Sequence, residues 1–466
     1  SVIAVTAATV TAFAENPKGI SDAPRYFPDK DFRKYVMKNY DLDKNGFLSI
    51  KEREAVTVID LTKKKVEHDG YVTFYAVKLS SLKGIEYFPN LKELYCTDQD
   101  YLRKLDLSQN TALEILDCSD NSNLKSLNLS KNTKLKTLKC VDDDLSELDV
   151  RGCTELETLD CSKNAWLRNI YAADCTKLKT LDCSGGFDLV VLDISGCSEL
   201  ETLECAGREL ESIDVSKHTK LKVLDCRSNN LTSLDVSNNP LLETLDCSDN
   251  KLTELDVSGN SALEKLNCGY NKLSSFDISK NTELKWLNCN GDYSSRISEV
   301  DVSKNTKLEY LSCSNNDLTE LDISKNTKLK VLKCSFNELT SLDVSKCVRL
   351  EELYCDLNDL TALDVSKCLQ LNELNCESND ITSLDVSKNT NLIRFFCSNN
   401  RLTELDINKN TKLTWLWCDR NYITSLDISK NQKLEYLDFD DDVKLIDAKE
   451  PARTFLSQPI PCGGAI

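Results

Sequence analysis

Histidine is nearly absent from this chain, whose 466 residues include only two. Enzymes use histidine more often than any other side chain for general acid–base catalysis, so its scarcity argues against an enzyme. The 22 cysteines contain no C-x-x-C pair, which argues against a zinc-binding or dithiol motif. Beyond residue 14, no apolar run is long enough to cross a bilayer.

Positive charge is also in short supply. The chain has 58 lysines and arginines against 76 aspartates and glutamates, which gives a formal net charge of -18. Binding to nucleic acid depends on a basic face that neutralises phosphates, so the balance argues against a nucleic-acid partner. An acidic surface instead favours neutral or cationic partners.

One pattern, L-x-x-L-x-C-x-x-N-x-L-x-x-L-D-V-S-x-N, repeats along most of the chain and is clearest within residues 221–242. Its cysteines recur every 21 or 22 residues from Cys96 to Cys418, apart from one step of 24, and a last repeat has Phe439 in the cysteine position. A fixed period with leucines at fixed offsets is typical of leucine-rich-repeat solenoids. The sequence therefore predicts a right-handed, curved, β-rich solenoid of about 17 coils over residues 58–440.

Within each coil, strand alternation places the leucine and the cysteine of L-x-C inward and the residues beside them outward. Thiols flanked by leucines are predicted to be neutral, reduced and structural rather than a redox or metal array. The aspartate of D-V-S, such as Asp235, is expected to accept turn N–H bonds rather than to build a cation-binding row. Six residues replace the asparagine of D-V-S-x-N and are predicted to be buried substitutes: Cys153, Cys175, Cys197, Cys347, Cys368 and His218.

The outward strand positions vary from coil to coil, so the coil itself does not fix them. They are expected to form the concave face. Aromatic side chains aimed at water are predicted to bind a protein or to stack on a sugar, the alternative being chance surface aromatics. The acidic positions either attract a basic partner or cations, or form a solvated acidic face. The candidate residues are Asp160, Asp182, Glu204, Asp225 and Asp246 for the acids, and Trp286, Tyr310, Tyr354, Phe396, Trp415, Trp417 and Tyr436 for the aromatics.

A twelve-residue segment, DLDKNGFLSIKE at 41–52, follows a predicted helix over 28–40. Calcium loops of the EF-hand type supply oxygens from positions 1, 3, 5, 7, 9 and 12, with a glycine at position 6. The segment fills every one of these positions and predicts one Ca²⁺ in a helical cap over 15–57, the alternative being a cap that has kept the shape without the metal. The candidate ligands are Asp41, Asp43, Asn45, the Phe47 carbonyl, Ser49 and Glu52.

The two ends of the chain depart from the repeat. Residues 1–14 are small and apolar and end in A-F-A, which predicts the remnant of a secretory signal peptide rather than a disordered apolar segment. Residues 441–466 carry three prolines and no repeat and are expected to be an irregular tail.

The repeated L-x-x-L-x-C-x-x-N and L-T-x-L-D-V-S-x-N motifs are similar to those of the internalin family, in its cysteine-ladder type. The resemblance covers residues 27–440 and implies a surface-exposed curved solenoid with a helical cap, which binds ligands of a host or a neighbouring cell on its concave side. Caps in that family look like EF-hands without their loop, whereas the segment Asp41–Glu52 is complete.

These observations together predict a secreted or cell-surface binding protein. It is expected to be a monomer without catalytic activity and to take an extracellular protein or glycan as its partner. Two alternatives stay open at this point. One is a structural spacer within a larger surface protein, and the other is a glycan-active enzyme that uses the concave carboxylates, against which their uniform row argues.

Overall fold

A computed structural model of the chain describes residues 19–62, 64–68, 71–75, 78–187, 189–292 and 295–446. The backbone divides into two compact units, residues 1–210 and residues 211–466. The expected signal remnant over 1–14 and the end of the tail, 447–466, lie outside the described residues.

Unit one, residues 1–210, is built on a main sheet of parallel three-residue strands. Strands of successive coils pair in register, so that Leu159 lies beside Leu138 and Leu181. A second row of short parallel strands follows in several coils. The main strands are Val58–Asp60, Glu93–Tyr95, Ile115–Asp117, Thr137–Lys139, Thr158–Asp160, Thr180–Asp182 and Thr202–Glu204; those of the second row are Lys104–Asp106, Ser126–Asn128, Glu147–Asp149, Asn169–Tyr171 and Val191–Asp193.

Unit two, residues 211–466, repeats the same arrangement over a longer run of coils. Its second row contains Ser425–Asp427 and Lys444–Ile446, which pair in parallel. The main strands are Val223–Asp225, Thr244–Asp246, Lys265–Asn267, Trp286–Asn288, Tyr310–Ser312, Val331–Lys333, Glu352–Tyr354, Glu373–Asn375, Arg394–Phe396, Trp415–Trp417 and Tyr436–Asp438. Each unit is a parallel β-solenoid with very few helices, and the described residues contain about 17 turns, so the predicted leucine-rich-repeat fold is confirmed.

The core of each coil consists of the leucines and cysteines that alternation predicts. In one coil Leu245 and Cys247 are fully buried, while Thr244, the residue before Leu245, is partly exposed. All cysteines of the described residues are free and buried. Burial disfavours the thiolate and raises the pKa of Cys268 and of Cys313 to about 12. Burial and raised pKa values support the prediction of neutral, reduced thiols for these residues.

A ladder of buried asparagine side chains joins each coil to the one before it. The Asn250 Nδ2 donates to the carbonyl oxygens of Cys226 and Cys247 at 3.0 and 3.1 Å, and its Oδ1 accepts from the Leu231 N–H at 3.0 Å. One amide thereby satisfies three backbone groups that would otherwise be buried without partners. Asn271, Asn316, Asn337, Asn358, Asn379, Asn400 and Asn421 donate in the same way.

The asparagine of the D-V-S-x-N turn forms a second ladder. The Asn260 Nδ2 donates to the Val236 and Asn239 carbonyls of the preceding coil, both at 2.9 Å. Where cysteine takes this position, its thiol makes a longer contact with the equivalent carbonyl, as between Cys175 Sγ and Val150 O at 3.2 Å. All five such cysteines and His218 are buried, as the sequence predicts.

A glycine and an arginine form one step of the first ladder in unit one. Gly186 occupies a ladder position and has no side chain, and Arg208 of the following coil is fully buried beside it. The Arg208 Nε donates to the Cys183 carbonyl and its Nη1 donates to the Asn164 carbonyl at 3.1 Å. A Cβ at Gly186 would collide with this guanidinium. The glycine therefore makes room for an arginine that serves two coils.

The N-terminal cap contains two short helices and a two-stranded sheet. Helix α1, Lys30–Tyr40, begins after Asp29, whose Oδ1 accepts from two backbone N–H groups at 2.9 Å. Helix α2, Ile50–Ala55, begins with a capping box. The antiparallel pair Ile20–Ser21 and Phe47–Leu48 connects the loop between the helices to the start of the described chain.

The cap packs on the first main strand and so covers apolar surface that the terminal coil of a solenoid would otherwise expose. The Tyr35 hydroxyl donates to the Asp60 carbonyl at 2.9 Å, and the Tyr40 hydroxyl donates to the Val58 carbonyl at 3.1 Å. The Tyr40 ring also meets the Phe88 ring edge-on at 5.7 Å.

Between the first two main strands, Lys64–His68 and Tyr71–Tyr75 pair as an antiparallel two-stranded sheet. A 3₁₀ turn, Ile85–Tyr87, then leads into the regular coils. Of the helices in the described part of the chain, none has the length and apolar character that a membrane-crossing segment needs.

Candidate functional site

The predicted aromatic residues all lie in unit two, on the surface that we call the strand face. The strand face consists of the first and third residues of each main strand, on either side of the buried leucine, and of the residue after each core cysteine. Because the strands pair in parallel register, side chains at equivalent positions of adjacent coils lie side by side, about 4.8 Å apart. Equivalent positions elsewhere carry Thr244, Lys265 or Val331, so aromatic side chains here are not a requirement of the coil.

The first aromatic cluster consists of Trp286, Tyr310 and Tyr354. The Trp286 and Tyr310 rings belong to paired strands and stack with centroids 4.8 Å apart and an interplanar angle of 8°. Two lysines cover these rings. The Lys265 Nζ lies 4.9 Å from the Trp286 centroid, and the Lys333 Nζ lies 5.0 Å from that of Tyr354. These are the distances of cation–π contacts.

The second aromatic cluster consists of Phe396, Trp415, Trp417 and Tyr436. Trp415 stacks on Tyr436 with centroids 3.9 Å apart, and Phe396 meets Trp417 edge-on at 4.8 Å. Trp415 and Trp417, on the two sides of Leu416, are 6.4 Å apart. All four side chains are partly exposed, because each ring covers part of its neighbour while its free face remains open to solvent.

Carboxylates line one edge of the second aromatic cluster, at and after the third strand position. They are Asp356, Glu377, Asp419 and Asp438. Burial, and after it the charges of Asp356, Asp419 and Asp438, raise the pKa of Glu377 to about 7. Burial also raises the pKa of Asp356 and of Asp438. Arg420 lies beside Asp419, with its Nε 3.5 Å from the carboxylate.

The predicted acidic positions divide between the two units. In unit one Asp160, Asp182 and Glu204 lie side by side on paired strands. In unit two Asp225 pairs with Asp246. The acids are partly satisfied by their own coils: Asp160 Oδ1 accepts from the hydroxyl two residues on at 2.7 Å, and Asp246 Oδ1 does the same at 2.6 Å. Asp246 is only 7% exposed and is the least accessible of the five.

The D-V-S aspartates behave as turn acceptors. The Asp235 Oδ1 accepts from the Ser237 N–H at 2.9 Å, and Asp256 and Asp277 accept from Ser258 and Ser279 in the same way. Hydrogen bonds from the serine lower the pKa of Asp235 and of Asp256. These contacts account for the row of aspartates without a bound cation.

The loop over 41–52 brings together the three carboxylates among its predicted calcium ligands. Carboxylate oxygens of Asp41, Asp43 and Glu52 all lie within 4.8 Å of one another. Gly46 has φ +81°, as the sharp turn at position 6 requires. Leu48, which follows Phe47 in the loop, is fully buried.

Hydrogen bonds within the loop hold its oxygens in place. Asp41 accepts from the N–H groups of Asn45 and Gly46 at 3.1 and 3.0 Å. The Glu52 Oε2 accepts from the backbone and hydroxyl of Ser49 at 2.8 Å. Against the opposing effect of burial, the Ser49 bonds lower the pKa of Glu52 and keep it ionised. The donor set of carboxylate, amide, hydroxyl and carbonyl oxygens fits a hard cation such as Ca²⁺.

Sequence reasoning did not identify a pair of exposed aromatic residues in unit one. Trp166 and Phe187 are 62% and 58% exposed, and their ring centroids are 6.1 Å apart. Both belong to coils of 22 rather than 21 residues, as does Tyr101, which is 56% exposed. In each of these coils the extra residue falls between the core cysteine and the next buried leucine, which is Leu102, Leu167 or Leu189. A comparison of coil lengths is therefore the signal that would have found these side chains.

Comparison with known proteins places the chain in a family. No protein-family model and no curated protein matches it. Among solved structures, it is similar to the functional domain of InlJ from Listeria monocytogenes, which includes a cysteine ladder. The two share 30% sequence identity over 92% of this chain and 77% of that chain, with a TM-score of 0.49. This chain belongs to the internalin-like leucine-rich-repeat proteins.

Other similar structures show the fold of this internalin-like chain. The leucine-rich-repeat protein LIC12759 from Leptospira interrogans is 20% identical over 85% of this chain and 93% of that chain, with a TM-score of 0.58. The plant peptide hormone receptor RGFR1, solved in complex with RGF2, is 18% identical over 78% and 76%, with a TM-score of 0.57. Leucine-rich-repeat proteins of these kinds are typically protein-binding and not enzymes.

Proposed function

We propose that this internalin-like chain is a secreted or cell-surface binding protein that recognises an extracellular protein or glycan on the strand face of unit two. The observation that carries the proposal is the pair of aromatic clusters on that face. The three strands Arg394–Phe396, Trp415–Trp417 and Tyr436–Asp438 contain five aromatic residues. Phe395 is buried in the core, whereas the four residues of the second aromatic cluster are partly exposed.

The physical reason lies in what such a surface gains on binding. Trp and Tyr supply a large apolar area at a low cost in side-chain entropy, and they dominate the binding energy of many interfaces. The stacked contact between Trp415 and Tyr436 and the edge-on contact between Phe396 and Trp417 already fix the orientation of the rings. Less ordering is therefore required when a partner docks.

Two other functions fit the clusters less well. A spacer has no need for aromatic side chains where other coils carry threonine or lysine. A glycan-active enzyme needs two carboxylates in distinct environments, whereas Asp160 and Asp182 occupy equivalent positions in successive coils.

The test is capture of partners on protein and glycan arrays by the full chain. A variant with Trp415→Ala and Trp417→Ala should lose at least tenfold in signal while its circular dichroism stays that of the parent. Tyr422→Ala is the matched control, because Tyr422 is 66% exposed in the same unit but lies outside the strand face. Equal capture by the double variant and the parent would favour the spacer.

We also propose that the loop over 41–52 binds one Ca²⁺ that stabilises the cap. The clustered oxygens of Asp41, Asp43 and Glu52 support this, as do the positions of Asn45, Phe47 and Ser49 in the loop. Calcium added after chelation should raise the melting temperature of the parent and leave the melting temperature of the Asp41→Asn variant unchanged. The control is Asp31→Asn, an exposed acid of helix α1 outside the loop. A parent that shows no shift with calcium would refute the site.

A further inference from the structure

The first aromatic cluster shows how rings on this face accept positive charge. Lys265 covers Trp286, and Lys333 lies between Tyr310 and Tyr354 at 6.0 and 5.0 Å from their centroids. Here the chain supplies the ammonium groups itself. Lysine stems also cover apolar ring surface while their charged ends stay in water.

The second aromatic cluster is uncovered by comparison. Among the cation–π contacts of the described residues, none involves Phe396, Trp415, Trp417 or Tyr436. The arginine on these strands, Arg394, is directed to Glu373, with Nη2 2.6 Å from the carboxylate. The free ring faces of the second cluster are therefore exposed to solvent, whereas those of the first cluster are covered by lysine side chains.

The charge beside the second cluster is negative. Asp438 is the strand partner of Trp417, and Glu377 follows the core cysteine of the strand that pairs with Phe396. Asp356, Asp419 and Asp438 each act on Glu377 in the direction of repulsion, so a fourth negative charge is costly there. Arg420 is 77% exposed and adjoins Asp419 at the outer edge. A cation from outside would relieve this repulsion.

The extent of the surface sets the size of its occupant. The cluster and its carboxylates lie on five consecutive main strands, from Glu352–Tyr354 to Tyr436–Asp438. At a strand spacing of about 4.8 Å, these strands span about 19 Å. An extended peptide advances about 3.3 Å per residue, so about six residues cross the face. Alternate side chains of such a peptide point to the same side, at roughly the spacing of one and a half coils.

Resting on the proposed function, we propose that the second aromatic cluster binds an extended, lysine- or arginine-bearing segment of a partner protein. One basic side chain lies over the rings of Phe396 and Trp417 and reaches Glu377 and Asp438. This basic side chain makes the same kind of cation–π contact that Lys265 makes with Trp286 in the first cluster.

Two blocked six-residue peptides serve as probes, one alternating lysine with serine and the other alternating glutamate with serine. Titration calorimetry at pH 8 should detect binding of the lysine peptide only. Trp417→Ala and Asp438→Asn should each weaken it at least fivefold, whereas Trp286→Ala in the first cluster should leave it unchanged. Equal binding of both peptides, no binding of the lysine peptide, or a loss with Trp286→Ala as large as with Trp417→Ala would overturn the proposal.

A pH series adds a readout that a merely structural effect would not produce. Glu377, with a pKa of about 7, is mostly ionised at pH 8 and mostly protonated at pH 6. Glu377→Gln should therefore weaken the lysine peptide at pH 8 and have little effect at pH 6. The facing groups Asp356, Asp419, Asp438 and Arg420 remain in both proteins. A Glu377→Gln effect of the same size at both pH values would contradict the assigned role of this carboxylate.

The outcomes separate this inference from the proposed function. If the lysine peptide does not bind but the Trp415→Ala, Trp417→Ala variant still loses array capture, the partner is not cationic and the face remains a binding site. If array capture is also insensitive to the double variant, both proposals fail.

Discussion

Asp143 takes the place of an asparagine in the first ladder of unit one, and the consequences can be calculated. Its Oδ1 accepts from the Asn121 N–H at 2.8 Å, as a ladder amide oxygen does. Its Oδ2 is buried where ladder amides in the adjacent coils, those of Asn121 and Asn164, donate to carbonyl oxygens. A carboxylate has no proton to donate there, and burial raises the pKa of Asp143 to about 8.

The sign of the pH dependence follows from this shift. Between its ordinary pKa of 3.8 and about 8, the folded chain holds a proton on Asp143 that the unfolded chain has lost. The free energy of unfolding therefore falls as pH rises through this window, by about 1.4 kcal/mol per pH unit. The contribution of the proton is complete below pH 4 and is lost by about pH 8.

Asp143→Asn restores a permanent donor and removes the titration. Its advantage in free energy of unfolding over the parent should be about 2 kcal/mol at pH 5, about 4 at pH 7 and about 6 at pH 9. The measurement is urea-induced unfolding of both proteins, followed by circular dichroism at the three pH values. The turn aspartates of lowered pKa, such as Asp235, reduce the free energy of unfolding as pH falls. This reduction is the same in both proteins and cancels in the comparison.

Asp142→Asn is the control, because Asp142 is the exposed neighbour with φ +54°, a conformation that asparagine tolerates. It should change the free energy by less than about 0.5 kcal/mol at each pH. An Asp143→Asn advantage that does not grow with pH, or a parent that is the more stable protein at pH 9, would show that Asp143 does not act as a protonated amide substitute.

Three further predictions concern other parts of the chain. Arg208→Met keeps the apolar stem but leaves the Cys183 and Asn164 carbonyls without their donor. Urea unfolding should show a free energy of unfolding lower by about 2–5 kcal/mol, and a decrease under about 1 kcal/mol would contradict the bridging role. Thiol titration with a colorimetric reagent should find few reactive groups in the folded chain and nearly all of them after unfolding without reductant, whereas low counts in the unfolded chain would indicate disulfides. Leu416→Ala, in the strand that carries the second aromatic cluster, should cost about 2–5 kcal/mol and lower capture only in proportion to the unfolded fraction; a larger drop at full folding would place Leu416 in the binding surface.

The repeat could be read from the sequence because its cause is local. Each coil must bury its leucines and thiols on the same side of a three-residue strand, so Leu245 and Cys247 are inward for the reason that alternation gives. The positions of Trp415 and Trp417 on the strand face follow from the same alternation. The pairing of Lys64–His68 with Tyr71–Tyr75 also had a local signal in the sequence, the Asp69-Gly70 pair between two β-rich runs.

Contacts between coils could not be read in this way. These contacts depend on which side chains the stacking brings together across 20 or more residues of sequence. Examples are Asn250 with the carbonyls of two coils, Arg208 with Gly186, and Lys265 with Trp286. The pKa of Glu377 depends on Asp356 and Asp438, which lie in other coils. Sequence alone determined the period, the core and the direction of each side chain, because these follow from one strand and its alternation. Tertiary structure decided which charges and rings become neighbours, because burial and repulsion are properties of the stacked coils and not of any one of them.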